Sequence, residues 1–84
     1  MKLYKKDILN IGHTVYYKKG YTRFNIDAKT CNIEEIFLRE ILELFSCKII
    51  STEDYIWTDD KGKEIFDVAI QTNLPWDVYL ELSK

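Results

Sequence analysis

A chain of 84 residues is long enough for one folded domain and too short for two. Hydrophobic residues make up 46% and charged residues 31%, with a formal net charge of −2, which excludes a disordered chain. No apolar run exceeds three residues and the first residues lack the apolar core of a signal peptide, so we expect a cytoplasmic protein without a membrane span.

The first predicted elements are a short helix and a β-hairpin. The helix covers Leu3 to Ile11 and ends at Gly12. The hairpin joins Thr14–Tyr17 to Tyr21–Ala28 through a three-residue loop that ends at Gly20. If Tyr17 pairs with Tyr21, the side chains of Tyr16, Phe24 and Ile26 face one way, and those of Val15, Tyr17, Tyr21 and Arg23 face the other.

A long amphipathic helix is predicted from about Ile33 to Cys47. Its broad apolar half consists of Ile33, Phe37, Leu38, Ile41, Leu42, Leu44 and Phe45. Asn32 and Glu35 have the spacing of a capping box, and Cys31 and Ile36 have that of a hydrophobic staple. This apolar half is wider than one packing contact needs. Either a terminal segment covers its second side, or part of it is an oligomer interface. Coverage by the N-terminal helix is the simpler arrangement.

A second hairpin is predicted from about Lys48 to Trp57 and from Glu64 to Thr72. The tetrapeptide from Asp59 to Gly62 has the composition of a type I turn closed by a bulge. The shared buried face then consists of Ile50, Thr52, Ile56, Phe66, Val68 and Ile70. Asp54 falls on that face opposite Val68, so either the strand breaks or bulges there, or the register is different.

The C-terminal residues allow two interpretations. Alternating Trp76, Val78, Leu80 and Leu82 favour a fifth strand, whereas Asn73 with Pro75 is typical of a helix start. We favour the strand. The sequence thus predicts a single α+β domain over residues 1–84, with a small antiparallel sheet of two hairpins and a fifth strand packed on the long helix.

Side chains typical of common enzymes are sparse, so we expect a protein that binds without catalysing a reaction and needs no cofactor. His13 is the only histidine, which does not allow a His-based zinc site, and we expect no metal. The glycines are too scattered for a phosphate-binding loop. Cys31 and Cys47 flank the predicted helix roughly 20 Å apart and are expected to be reduced core thiols. The alternative is an enzyme whose catalytic site is shared between subunits.

Charge is unevenly distributed along the chain. Residues 1–30 carry seven basic and two acidic side chains, a net of +5, whereas residues 31–84 carry a net of −7. The basic part interleaves cations with aromatics, and a surface with this combination binds single-stranded nucleic acid. The residues of this alternative site are Tyr17, Lys18, Lys19, Tyr21 and Arg23. Overall acidity makes nucleic acid the less favoured partner.

The acidic part is concentrated between Glu53 and Asp67, and Tyr55 and Trp57 lie among its acidic residues. Acidic side chains around exposed aromatics suit a basic protein surface, because the aromatics anchor the partner and the charges steer it. The residues of this site are Glu53, Asp54, Tyr55, Trp57, Asp59, Asp60, Glu64 and Asp67. We therefore predict a protein-binding module, in the manner of small phage-type inhibitors that mimic nucleic-acid phosphates; this is an analogy of charge and size only.

Overall fold

A computed structural model describes residues 2–84. After a 3₁₀ helix at Lys5–Asn10, the elements are strands β1 (Thr14–Lys18) and β2 (Tyr21–Asp27), helix α1 (Cys31–Leu44), strands β3 (Ile49–Thr58) and β4 (Glu64–Pro75), and helix α2 (Trp76–Leu82). The four strands form one antiparallel sheet in the order β1-β2-β4-β3. The predicted α+β class is therefore confirmed, with β3 at an edge of the sheet.

The core lies between one face of the sheet and the helices. Buried side chains of the 3₁₀ helix, α1 and the two central strands form it: Ile8, Phe24, Ile26, Leu38, Ile41, Leu42, Ile70 and Leu74. Tyr79 and Leu82 of α2 pack against the same cluster. We call this side of the sheet the helix face. Because strand side chains alternate, the intervening residues lie on the opposite side, which we call the open face.

The first hairpin has a different register from the predicted one. Lys18 pairs with Tyr21, and Tyr17 pairs with Thr22. The turn is the two-residue segment Lys19-Gly20, both with positive φ (54° and 89°), as a type I′ turn requires. This shift of one residue reverses the predicted faces of β1: Val15 and Tyr17 lie with Phe24 on the helix face, and Tyr16 joins Tyr21 and Arg23 on the open face.

Helix α1 begins and ends earlier than predicted. Thr30 is the N-cap, so the capping box at Asn32 and the staple of Cys31 with Ile36 are wrong, and Cys31 is instead a buried first-turn residue. At the other end Ser46 adopts φ 58°, and the backbone N–H of Cys47 bonds the carbonyl of Leu42 at 2.9 Å. This is a Schellman termination with serine at the position that glycine usually occupies.

The wide apolar arc of α1 is only partly covered. Leu38, Ile41 and Leu42 are buried in the core, and Phe37 and Phe45 pack at its margin. Ile33, Ile36 and Leu44 remain largely exposed. The 3₁₀ helix packs on α1, as the predicted wrapping requires, but it leaves that outer stripe open to solvent.

The C-terminal segment is a helix, so the predicted fifth strand is wrong. Strand β4 runs to Pro75, whose backbone pairs with Tyr21, and α2 starts at the next residue. Trp76 donates its backbone N–H to the carbonyl of Gly20, and its ring stacks on Tyr79 at 5.7 Å. Pro75 is the N-cap of α2, and its fixed φ (−58°) suits the change from strand to helix at this residue.

The second hairpin follows the predicted register around its acidic residue. Asp54 pairs with Val68, as expected, and the strand is unbroken there. The irregularity lies at the other end of β3, where Ile49 and Ser51 pair with consecutive residues of β4 and Ile50 is the extra residue of a bulge. Asp54 is tolerated on the helix face because it lies exposed on an edge strand.

The two cysteines are free thiols at the edge of the core. Burial raises the pKa of Cys31 above its ordinary value, and the nearby carboxylates of Glu35, Glu34 and Asp54 raise it further. Burial alone raises the pKa of Cys47. Burial also raises the pKa of the Tyr79 hydroxyl, and the Tyr79 side chain packs against the core. Neither thiol is therefore set up as a nucleophile.

These shifts predict a loss of stability at alkaline pH. The unfolded thiols release their protons near pH 9.0, whereas the folded thiols hold them to higher pH. The folded state thus binds more protons in this window, and its free energy of unfolding falls as pH rises through the raised pKa values. Urea unfolding between about pH 8 and about pH 10.5 measures this. Tyr79→Phe should reduce the fall in the free energy of unfolding at the alkaline end of this pH range. A free energy of unfolding that rises with pH over this range would contradict the expectation.

Within residues 2–84, no helix is both long enough and apolar enough to cross a membrane.

Candidate functional site

The most exposed part of the sheet is the end of the second hairpin, residues 53–67, which we call the acidic arm. Ile56 and Phe66 are cross-strand partners on the helix face, yet they are 59% and 53% exposed. No helix of the described chain covers this pair, so the predicted burial of Ile56 and Phe66 is wrong, as is that of Ile50 and Thr52. The arm carries an apolar pair on one side and aromatic side chains on the other.

The turn of the arm is built around Asp59. Its carboxylate accepts backbone N–H groups from Lys61 and Lys63, both at 2.9 Å. Its backbone bonds Lys63 and Gly62, and Gly62 has a φ of 81°. The predicted turn is confirmed. Asp59 therefore acts in the structure of the turn, while Asp60 at the tip is exposed.

Trp57 is held in place on the open face by a buried carboxylate. Its indole Nε1 donates to Oδ2 of Asp67 at 2.8 Å, and the side chain of Asp67 is 0% exposed. Nε2 of His13 lies 2.9 Å from the same oxygen, while its Nδ1 lies 3.0 Å from the hydroxyl of Thr14. Asp67 is thus an internal acceptor that orients Trp57, and it is unavailable for steering a partner.

The predicted arm residues are divided between two faces and a turn. Glu53, Tyr55, Trp57 and Asp67 alternate onto the open face; Asp54 and Glu64 lie on the helix face; Asp59 and Asp60 lie in the turn. Tyr55 is 44% exposed and Trp57 37%. Both aromatics are therefore accessible, with the exposed carboxylates of Asp54 and Glu64 on the helix face and that of Asp60 at the tip.

Comparison with known proteins gives no match. No protein-family model, curated protein or solved structure corresponds to this chain. Among residues 2–84, no group of three or more His, Cys, Asp and Glu side chains is placed to hold a metal ion.

The basic residues of the first hairpin are separated by the observed register. Tyr17 lies near α2, its ring 6.3 Å from that of Trp76 in an edge-on arrangement. Tyr21 and Arg23 lie on the open face with Lys18. The predicted shared face of Tyr17 and Tyr21 is therefore wrong. Lys18, Lys19, Tyr21 and Arg23 do come together, around a cavity of about 340 Å³.

Arg23 is the most deeply placed cation of the open face. It is 6% exposed, and its Nη2 lies 3.2 Å from Oε2 of Glu53 on the edge strand. Its cross-strand partner is Gln71. Among the described residues, three buried side-chain atoms have no hydrogen-bond partner: Nε of Arg23, Oδ1 of Asp67 and Oε1 of Gln71. All three belong to the open face, which is therefore polar as well as aromatic.

Sequence reasoning did not place His13, Asn25 or Gln71 on this face. Tyr16 donates its hydroxyl to Oδ1 of Asn25 at 3.3 Å, so the middle of the open face is a side-chain network. The signal that could have revealed it is the polar series Arg23, Asn25 and Asp27 at alternate positions of β2, with Asp67 and Gln71 on the same face of β4. Polar residues that recur on one face of two central strands indicate a second face without a helix.

Proposed function

We propose that this protein is a protein-binding module that docks a basic segment of its partner along strand β3 of the acidic arm. One observation carries the proposal: nine of the ten residues of β3 are exposed, at an edge of the sheet. An edge strand leaves a row of backbone N–H and C=O groups unpaired, and an incoming strand can bond them. The predicted role as an inhibitor stays a prediction.

Exposed apolar side chains supply the contact area beside this edge. Ile56 and Phe66 offer an apolar pair on the helix face, and Tyr55 and Trp57 offer aromatic rings on the open face. Large aromatic residues dominate the binding energy of many protein interfaces. Asp67 already fixes the indole of Trp57, so less side-chain freedom is lost when a partner packs against it.

Charge selects which strand can bind. Glu53 and Asp54 occupy the middle of β3. When two copies pair antiparallel through this edge, directly opposed side chains lie on the same face, so the centred registers place Glu53 opposite Glu53 or Asp54 opposite Asp54. Like charges at such positions are destabilising. A segment rich in lysine or arginine would instead place positive charges opposite these carboxylates. The charges of β3 therefore disfavour pairing between two copies of this chain and favour pairing with a basic strand.

Reversing the accessible charges of the arm should weaken this association. The variant Asp54→Lys/Asp60→Lys/Glu64→Lys leaves Asp59 in its turn and Asp67 in its buried site. We expect its affinity for an alternating lysine–valine peptide of the length of β3 to fall at least about tenfold at low salt, because three attractive charges become repulsive. Fluorescence anisotropy of a labelled peptide measures the loss.

A matched variant controls for net charge. Glu40→Lys/Glu43→Lys/Asp77→Lys changes the total charge equally at exposed positions of α1 and α2. It should retain most of the affinity for the peptide. Equal losses in both triple variants, or no loss in the arm variant, would contradict docking on the arm.

A further inference from the structure

We propose that the cavity between the first hairpin and the bulged start of β3 binds a phosphate monoester, in the form of a nucleotide. This site shares Ile50, Ser51 and Glu53 with the start of β3, but its cations are not part of the docking edge. It uses the basic side chains of the first hairpin, which the protein-binding function leaves unused.

The floor of the cavity is a row of polar side chains across three strands. Arg23 of β2 pairs with Gln71 of β4, which pairs in turn with Ser51 of β3. All three line the cavity, whose volume of about 340 Å³ lies within the range of small-molecule sites. A hydroxyl, an amide and a guanidinium thus converge at one end of the open face.

Both neighbouring ladders are irregular at this point. The pairing of β2 with β4 shifts between Tyr21 and Arg23, and that of β3 with β4 shifts between Ile49 and Ser51. Bulges redirect side chains and are frequent beside binding sites. Here they open the space between the strands that the cavity occupies.

The charge of the cavity is positive. Lys18 and Lys19 join Arg23 around it, against the single carboxylate of Glu53. A guanidinium presents a planar fork of N–H donors that matches the oxygens of phosphate, and the lysines add mobile charges. Nε of Arg23 has no acceptor among the described residues, so the guanidinium is only partly satisfied by the protein.

Glu53 is placed as a replaceable partner for Arg23. Its oxygen lies 3.2 Å from Nη2 of the buried Arg23, but the Glu53 side chain is itself 63% exposed and can turn into solvent. A phosphate can therefore take the place of the carboxylate on Arg23. Because the carboxylate of Glu53 competes with the phosphate, a variant that lacks this carboxylate is expected to bind the phosphate more tightly.

The sides of the cavity offer apolar contacts to an organic group attached to the phosphate. The ring of Tyr21, which is 40% exposed, lies on the β2 side, and the exposed side chain of Ile50 lies on the β3 side. Aromatic side chains stack on nucleobases independently of sequence. This combination favours a nucleotide over a free inorganic anion.

The test is a titration of the ¹⁵N-labelled protein at low salt (~20 mM), where phosphate contacts are least screened. The probes are inorganic phosphate, adenosine 5′-monophosphate, adenosine, and a short single-stranded oligonucleotide with and without a 5′-phosphate. We expect the monophosphate to bind more tightly than phosphate or adenosine, with shifts concentrated in residues 18–23, Ser51 and Gln71. No binding of the monophosphate would overturn the proposal. An oligonucleotide that binds equally well without its 5′-phosphate would also overturn it, because the contacts would then be to the backbone.

Three variants make the result specific. Arg23→Gln should lower affinity for the monophosphate about tenfold or more, the size expected for a charge-assisted hydrogen bond. Because Arg23 is buried, Lys18→Gln/Lys19→Gln provides a second, exposed change that should also weaken binding, whereas Lys61→Gln/Lys63→Gln on the arm should not. Equal effects of the two lysine pairs would contradict the site.

Glu53→Gln separates this inference from the proposed function. It should strengthen binding of the monophosphate several-fold while weakening binding of the basic peptide. Weakened or unchanged binding of the monophosphate in this variant would contradict the competing role of Glu53, whatever the peptide does.

Discussion

Replacing Gly12 by alanine is expected to lower the free energy of unfolding by about 2–4 kcal/mol. Gly12 has a φ of 72°, and a Cβ there would lie 2.7 Å from the backbone oxygen of Asn25. That oxygen accepts the N–H of His13 at 3.0 Å, and Asn25 lies in a central strand, so it cannot move freely. The left-handed conformation alone costs alanine about 1–2 kcal/mol, and the steric conflict adds to it.

Gly62→Ala isolates the steric part of this effect. Gly62 has a similar φ of 81°, but no atom lies within 4 Å of the position its Cβ would take. Only the conformational cost of about 1–2 kcal/mol should appear. Urea unfolding of both variants measures the difference. Equal losses would mean that the connection between the 3₁₀ helix and β1 is not as tightly packed as the structure indicates.

Replacing Thr72 by valine is expected to cost about 2–4 kcal/mol, because its hydroxyl completes the irregular pairing of β2 with β4. The hydroxyl donates to the backbone oxygen of Thr22 at 2.8 Å and accepts the N–H of Leu74 at 3.1 Å. All three residues are 0% exposed. Valine has nearly the same shape, so it would leave two backbone groups buried and unpaired with little change in packing.

Two further variants identify the hydroxyl as the cause. Thr72→Ser keeps the hydroxyl and should recover most of the stability. Thr22→Val removes a single bond, from its hydroxyl to the oxygen of Leu74 at 3.0 Å, and should cost less than Thr72→Val. Thermal unfolding monitored by circular dichroism ranks the variants. If serine were no better than valine at position 72, packing would explain the loss.

The pattern of the sequence was sufficient for most elements of the fold, and it failed where a non-glycine residue adopts a left-handed conformation. Lys19 takes positive φ in the first turn, which shortens the loop by one residue and reverses the faces of β1. Ser46 does the same at the end of α1 and stops the helix before Cys47. Glycine at these places would have revealed both boundaries, whereas lysine and serine give no such signal.

The C-terminal helix shows a different limit. Trp76, Val78, Leu80 and Leu82 alternate as in a strand, yet tertiary contacts decide the conformation. Trp76 bonds the first hairpin, and Tyr79 lies edge-on to Phe24 with ring centres 5.9 Å apart. Alternation over a few residues is weak evidence when a proline precedes it.

The candidate site was predictable in composition but not in geometry. The acidic residues and aromatics of the arm could be read from the sequence, as could the turn at Asp59. The burial of Asp67 could not, because it depends on His13 and Trp57 approaching from distant parts of the chain. The partnership of Arg23 with Glu53 likewise depends on strand order, which local patterns do not specify.

Backbone amide exchange of β3 in the presence of the alternating lysine–valine peptide tests docking on the acidic arm most directly. We expect slowed exchange and shifted amide signals in Ile49–Thr58, no change in the opposite edge strand Thr14–Lys18, and no effect of a glutamate–valine peptide of equal length. Unchanged exchange in β3 with the basic peptide bound, or equal changes in β1, would contradict the account.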